Sequence, residues 1–287
     1  MALKYYNKNW IKKLVLGVKR LNVLPENEPI LPCDSTAHEG TLFFSGSGYY
    51  HSLTLSLNNE LFQSGVKHDL ILFDQHSDYQ KVYDFSAKNI GCANWTAFYN
   101  HHFKNSRILI AGLGYGEVGN KFPDNITVLG RNMDSLENKL DLISKKVYVS
   151  YDLDVITYDT YGKCYGPDIS NSEYWARHGD DKVTLKDVLE ATNKIIKNKD
   201  VVGVDICGHR PEFPTTLLGW PGTLIMMALI INQYTKNTRD EELIKYFDKD
   251  DSWCSFEKWH NIKGLIKKNK IINNAVNLQE AVRQLTK

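Results

Sequence analysis

The sequence predicts an α/β fold in which a mostly parallel sheet carries helices on both faces. Three observations predict it. Short apolar runs recur along the chain, helix-like patterns separate them, and no repeat or linker interrupts the alternation. The 287 residues are enough for one large domain or two modest ones. No Pro/Gly/Ser-rich stretch marks a boundary, so one domain over 1–287 is expected. Its helical, lysine-rich C-terminal extension, about 240–287, is expected to pack on the outside.

Taken in order, FFSG (43–46) is the first candidate strand, and a helical pattern from Tyr50 to Ser64 follows the glycine-rich SGSG. LILFD (70–74), RILIAGL (107–113), ITVLG (126–130), KVYVSYD (146–152) and VVGVDIC (201–207) read as buried parallel strands. Asp134 to Ser144 has leucines at helical spacing behind a capping Asp or Ser. Thr184 to Lys197 opens like a capping box, Thr184 with Asp187 three residues later. Thr223 to Gln233 follows the Pro221-Gly222 break; within it Leu224 to Ile231 is the longest apolar stretch, suited to a buried helix and too short to span a bilayer.

Bulk properties exclude several classes. Thirty-five basic and 34 acidic side chains leave a formal charge of +1, so neither nucleic acid nor an anionic membrane is an expected partner. The start, MALKYYNKNW, has no apolar signal core. Cys33, Cys92, Cys164, Cys207 and Cys254 are scattered and odd in number, with no C-x-x-C pair. They read as free thiols in a reducing cytoplasm.

The chemistry gathers at two strand ends. LILFD runs into Asp74-Gln75-His76-Ser77-Asp78, and KVYVSYD runs into Asp152-Leu153-Asp154. In an extended chain alternate side chains face the same way, so each triplet can converge beyond its strand. Ligands of open α/β sheets sit at the carboxyl ends of strands. Four carboxylates gathered there repel one another unless cations neutralise them. Oxygen-rich donors with an imidazole favour two Mn²⁺ ions, with Fe²⁺, Co²⁺ or Zn²⁺ as alternatives. A water held between two such ions becomes a nucleophile near neutral pH.

One other motif competes. Gly114-Tyr115-Gly116-Glu117-Val118-Gly119 fits the dinucleotide pattern G-x-G-x-x-G and follows a strand, with Asp134 about 20 residues on. That pattern must open a helix, and the turn-like 120–125 leaves no room for one before the strand at Ile126. The glycines therefore read as a tight turn.

With these residues in view, the sequence resembles a divergent member of the arginase/agmatinase (ureohydrolase) family. The D-A-H-x-D motif of that family stands here as Asp74-Gln75-His76-Ser77-Asp78, and S-F-D-x-D as Ser150-Tyr151-Asp152-Leu153-Asp154. A degraded G-G-D-H-S stands as Gly48-Tyr49-Tyr50-His51-Ser52 and adds His51. The resemblance runs from about residue 40 to about residue 235. It implies a three-layer α/β/α sandwich around a mostly parallel eight-stranded sheet, often as a trimer or hexamer. It also implies one ion on His51, Asp74, Asp78 and Asp152, and a second on His76, Asp74, Asp152 and Asp154. Asp74 and Asp152 would bridge, with Asp152 serving catalysis as well. The implied reaction is attack of metal-bound hydroxide on a linear, non-peptide C–N bond of a small-molecule or peptide-borne guanidino or amidino compound.

The substrate-handling positions depart from the family. Tyr50 replaces an Asp, and the loop Tyr79 to Trp95 lacks the family's proton-shuttling His; its counterpart falls near Gly91 and Cys92. The guanidinium-gripping Glu falls on Gly208 or His209. A guanidinium is held well by paired, charge-assisted bonds to a carboxylate, so its loss removes the reason for free arginine to bind. His209 is then the candidate proton shuttle, and Glu212 and Cys92 are candidate substrate contacts. His101 and His102 read as surface-turn residues. Two alternatives remain: an amide hydrolase of the same fold, deacetylase-like and using one metal, or a non-catalytic metal-binding relative.

Overall fold

The computed structural model describes residues 2–3, 13–16, 41–46, 48, 51–114, 120–156 and 183–208, together with 226, 229, 230, 233 and 234. His209, Glu212, Tyr50, the segments 115–119 and 157–182, and the expected C-terminal extension lie outside the described residues.

Eight strands form one sheet: β1 (Ala2–Leu3), β2 (Lys13–Leu16), β3 (Thr41–Gly46), β4 (Asp69–Phe73), β5 (Ile108–Leu113), β6 (Ile126–Gly130), β7 (Lys146–Asp152) and β8 (Asp200–Cys207). Their order is β1-β2-β3-β8-β7-β4-β5-β6. Every pairing from β2 to β6 is parallel; β1 alone runs antiparallel, at one edge. Among the described residues, these helices with full bounds accompany them: α1 (Leu53–Gln63), α2 (Trp95–His102), α3 (Leu136–Leu140) and α4 (Leu185–Asn198). The result is a three-layer α/β/α sandwich.

Strand alternation decides which helices cover which face. Leu70 and Leu72 of β4, Ile108 and Ile110 of β5, Tyr148 of β7 and Val202 of β8 share one buried cluster with Leu55, Leu57 and Leu61 of α1 and Trp95, Phe98 and Tyr99 of α2. Phe73 and Tyr151, of opposite parity, stack on the other face with ring centroids 4.8 Å apart. There the Tyr151 hydroxyl meets Thr192 Oγ1 of α4 at 2.8 Å and the Tyr234 hydroxyl at 2.5 Å. Met226, Leu229, Ile230, Gln233 and Tyr234 are helical and buried, on the pattern expected for 223–233.

Capping fixes α4 where the sequence places it. Thr184 Oγ1 accepts from the Asp187 backbone N–H at 3.2 Å, and Asp187 accepts from the Thr184 N–H at 2.7 Å. Three elements differ from expectation. The helix sought over 134–144 is a five-residue segment, because Ser144 instead ties its N–H to Asp69 Oδ2 at the start of β4. His101 and His102 end α2 rather than occupying a turn; Trp95, Phe98 and Tyr99 lie on its buried face and anchor it. β6 is only half-buried, since it is the far edge of the sheet. Among the described residues no helix stands between Asn120 and Ile126, as the tight-turn reading of the glycine motif requires.

Because β3, β8, β7 and β4 are parallel neighbours, their carboxyl ends open on the same side of the sheet. The chemistry-bearing residues lie along that rim.

Candidate metal centre

Asp74 follows the last residue of β4, Asp152 ends β7, and His51 stands just before α1. All three are buried, as is Asp78, while His76 is about one-third open. The neighbouring triplets converge by turning rather than by simple extension. The Asp74 carboxylate accepts from the His76 N–H at 2.7 Å, and the Asp152 carboxylate accepts from the Asp154 N–H at 3.2 Å. Each is an Asx-type turn, in which a short side chain bonds backbone two residues on. Each folds its third residue back beside the first. After Asp152 the chain continues as a 3₁₀ turn, Leu153–Val155. Asp78 has φ 48°, a left-handed conformation that aspartate tolerates better than most residues.

These turns gather two groups of donors. His51 Nδ1 lies 3.3 Å from Asp74 Oδ2, 3.1 Å from Asp78 Oδ2 and 3.6 Å from Asp152 Oδ2. His76 Nδ1 lies 3.4 Å from Asp74 Oδ1 and 3.2 Å from Asp154 Oδ2. Asp74 thus turns one oxygen towards each imidazole. Ligands about 2.1 Å from one ion stand about 3.0–3.4 Å apart at octahedral or tetrahedral angles, close to the separations observed. His51 Nδ1, Asp74 Oδ2 and Asp154 Oδ1 are buried without a hydrogen-bond partner. Buried polar atoms are rarely left so. Spacing and orphaned atoms together fit a divalent cation in each group.

Without cations the titration behaviour is strongly displaced. Burial raises the Asp152 carboxyl well above the usual range, and Asp154 and Asp74 push it further. Burial and then Asp74 raise Asp78 to about 7. Burial would raise Asp74 too, but His51 and His76 outweigh it and draw it below the usual range. Burial disfavours the protonated imidazole at His51 and His76, yet the surrounding acidic groups overcome it and raise both. The protons are held where ions would otherwise sit.

The ligand shell is braced from behind. Ser150, on β7, donates to Asp205 Oδ1 of β8 at 2.5 Å. With its proton given there, Ser150 Oγ accepts from His51 Nε2–H at 2.9 Å. Once the ring is neutral, that bond selects the tautomer whose Nδ1 lone pair faces the carboxylates. Thr54 of α1 also donates to Asp205, at 2.7 Å. Burial lifts Asp205 to about 6, opposed by His51, Ser150, Thr54 and Tyr148. Trp95, at the start of α2, donates from Nε1 to Asp78 Oδ2 at 2.7 Å and packs its ring 4.9 Å from that of His51.

Two glycines make room for Asp152. A Cβ on Gly48 would stand 2.8 Å from Asp152 Oδ2, and one on Gly208 would stand 2.8 Å from Asp152 Oδ1. Gly208 also has φ 95°, where side chains are strained. A gripping carboxylate is therefore not replaced at that position; the residue has to be small.

The six expected donors, His51, Asp74, His76, Asp78, Asp152 and Asp154, all stand in this cluster. Cys92 is half-buried in the loop before α2, which closes through a Gln80 N–H to Ala93 carbonyl bond of 3.1 Å. Burial raises its thiol, and the Asp78 charge adds to the effect. Sequence reasoning missed Trp95, Thr54, Asp205 and Cys207. Cys207 ends β8, and its sulfur lies within 4.8 Å of ligand atoms of His51 and Asp152. Its parity with Asp205 on a strand ending at the rim was the available signal. It also missed Arg131, whose buried guanidinium feels the Asp154 charge and reaches the Val155 carbonyl at 3.4 Å.

Neither a family model nor a curated protein sequence matches the chain. Solved structures do. A hypothetical agmatinase from Burkholderia thailandensis superposes with a TM-score of 0.50 at 14% identity, over 68% of this chain and 58% of that one. A formiminoglutamase from Trypanosoma cruzi, described with Mn²⁺, gives 0.50 at 10% identity, over 69% and 66%. The agmatine ureohydrolase of Thermoplasma volcanium gives 0.49 at 19% identity, over 68% of this chain and 61% of that one. The chain thus spans about three-fifths of the length of that last protein. The fold is the one that the Burkholderia and Trypanosoma structures share.

Two outcomes follow. Because His51, His76 and Asp78 hold protons that an ion must displace, metal binding should release protons and tighten as pH rises from about 6 to about 8. Calorimetry in buffers of different ionisation enthalpy measures the release; pH-independent affinity would contradict it. Ser150→Ala should weaken metal binding about 10–100-fold with an unchanged circular dichroism spectrum, because His51 loses its brace.

Proposed function

We propose that the chain is a binuclear metallohydrolase that cleaves a linear, non-peptide C–N bond of a guanidino or amidino compound. The observation that carries this reading is the pair of donor groups sharing Asp74, one oxygen to each imidazole. One ion would rest on His51, Asp74, Asp78 and Asp152, and the other on His76, Asp74, Asp152 and Asp154. Mn²⁺ suits the predominance of oxygen donors, with Fe²⁺, Co²⁺ or Zn²⁺ as alternatives. When bound, the ions supply positive charge that acidifies a water and polarises the scissile carbon. Sharing between two groups favours two ions over the single ion of the amide-hydrolase alternative.

The protein's own residues divide the remaining work. The His51 side is sealed, whereas His76 is 32% and Asp154 17% exposed. Substrate and water therefore approach from the His76–Asp154 side. Asp152, held between two glycine backbones, can bridge without room to swing away. His209, two residues after the last residue of β8 in the sequence, would carry a proton to the departing amine. Cys92 and Glu212 would border the substrate. The names of the structural neighbours, agmatinase and formiminoglutamase, support the amidino class. The absence of the gripping Glu, whose position falls on Gly208 or His209, argues for a substrate other than free arginine, carried on a small molecule or a peptide. A homo-oligomer, trimeric or hexameric, belongs to the same reading.

The test is a panel of guanidino and amidino compounds with Mn²⁺-loaded protein, scored for urea, ammonia or amine. At least one should turn over. Asp152→Ala should abolish turnover, and His209→Ala should lower kcat by about 10²–10⁴, the usual weight of a positioned proton carrier. Loaded protein that turns over nothing would leave the non-catalytic, metal-binding alternative.

A further inference from the structure

Cys207 closes β8 with no exposed surface. A buried thiol is ordinarily a small core hydrophobe among apolar neighbours. This one is not so surrounded. β7 and β8 pair in parallel with Asp152 directly opposite Cys207. The two side chains therefore come from neighbouring strand ends on the same rim. The sulfur, a His51 ring nitrogen and an Asp152 oxygen all fall within 4.8 Å of one another, a group that meets the His51–Asp74–Asp78 group at His51, and all three residues are buried. On the same imidazole, Nδ1 is buried and has no hydrogen-bond partner. Gly208 follows with φ 95°, and a Cβ there would stand 2.8 Å from Asp152 Oδ1.

We propose that Cys207 is a thiolate ligand to the ion on the His51 side, and that it moves the preference of that position from Mn²⁺ towards softer ions such as Zn²⁺, Co²⁺ or Fe²⁺. The inference rests on the two-ion reading above and adds a donor to it. A sulfur about 2.3 Å and an oxygen or nitrogen about 2.1 Å from one ion stand about 3.1–3.6 Å apart at octahedral or tetrahedral angles, inside the 4.8 Å that holds the three atoms. On binding, the sulfur–metal bond forms as the thiol proton leaves to solvent. Thiolate selects softer cations, whereas carboxylate and water suit Mn²⁺. The two positions would then differ: a sealed one with sulfur, and an open one of oxygen and imidazole only.

Cobalt spectroscopy tests this without any turnover. Wild-type protein loaded with Co²⁺ under anaerobic conditions should show an intense near-ultraviolet thiolate-to-cobalt band above its weak visible bands. A variant with Cys33, Cys92, Cys164 and Cys254 all replaced by serine should keep that band. Cys207→Ser and Cys207→Ala should lose it while keeping the visible bands. Their Zn²⁺-over-Mn²⁺ selectivity should fall by about tenfold or more, the scale on which changes around a metal are felt. If the Cys207 variants do not fold, the variant with Cys207 as its sole thiol decides. Visible cobalt bands without the ultraviolet band would overturn the thiolate ligand and leave the two-ion reading standing. Wild-type protein that takes up no cobalt would overturn both.

Discussion

The structure turns on like charges that have been buried together. Asp74, Asp78 and Asp152 are nearly inaccessible to water and stand 3.1–3.6 Å from one nitrogen of His51. Such an arrangement opposes folding unless protons or cations neutralise it. In the metal-free protein protons do so, which is why His51 and His76 hold them tightly and Asp78 keeps one to about pH 7. The chain tolerates this because the sheet beneath leaves the rim little freedom. Three parallel strands, β4, β7 and β8, are buried along nearly their whole length and deliver their ends to one place.

Around that place, ordinary packing gives way to requirements of the site. Ser150, Thr54 and Tyr148 spend their hydroxyls on Asp205 deep in the sheet, where apolar side chains would pack at less cost. Gly48 and Gly208 give up side chains so that Asp152 fits between them. Asp78 adopts a left-handed backbone. Trp95 is placed where its N–H reaches Asp78. Each feature is a small loss for folding alone and a gain in fixing a donor's direction.

Much of the fold was legible in the sequence because its strands are short, apolar and regularly spaced. LILFD, RILIAGL and KVYVSYD admit few other readings, and Thr184 with Asp187 marked the start of α4. β1 and β2 were not foreseen, since two and four residues carry too little pattern. α2 was missed because its buried face, Trp95, Phe98 and Tyr99, is mixed with polar residues and two histidines. At the site, the six residues that gather at the rim were legible from D-x-H-x-D, D-x-D and the degraded His51 motif. The route by which they converge was not, because Asx turns and a left-handed Asp78 depend on hydrogen bonds that alternation cannot express. Cys207 was hidden for another reason. Its parity with Asp205 was the one signal, and its neighbours arrive from residues 51 and 152, far along the chain.

The central claim is that two cations replace the protons between these carboxylates, with Asp74 common to both. Metal content per chain tests it most directly: protein saturated with Mn²⁺ or Zn²⁺, freed of loose ions by gel filtration, and assayed by elemental analysis. The account predicts two ions per chain, and fewer than one after Asp74→Ala, because that carboxylate serves both positions. A wild-type stoichiometry of zero, or one unaffected by the loss of Asp74, would contradict it.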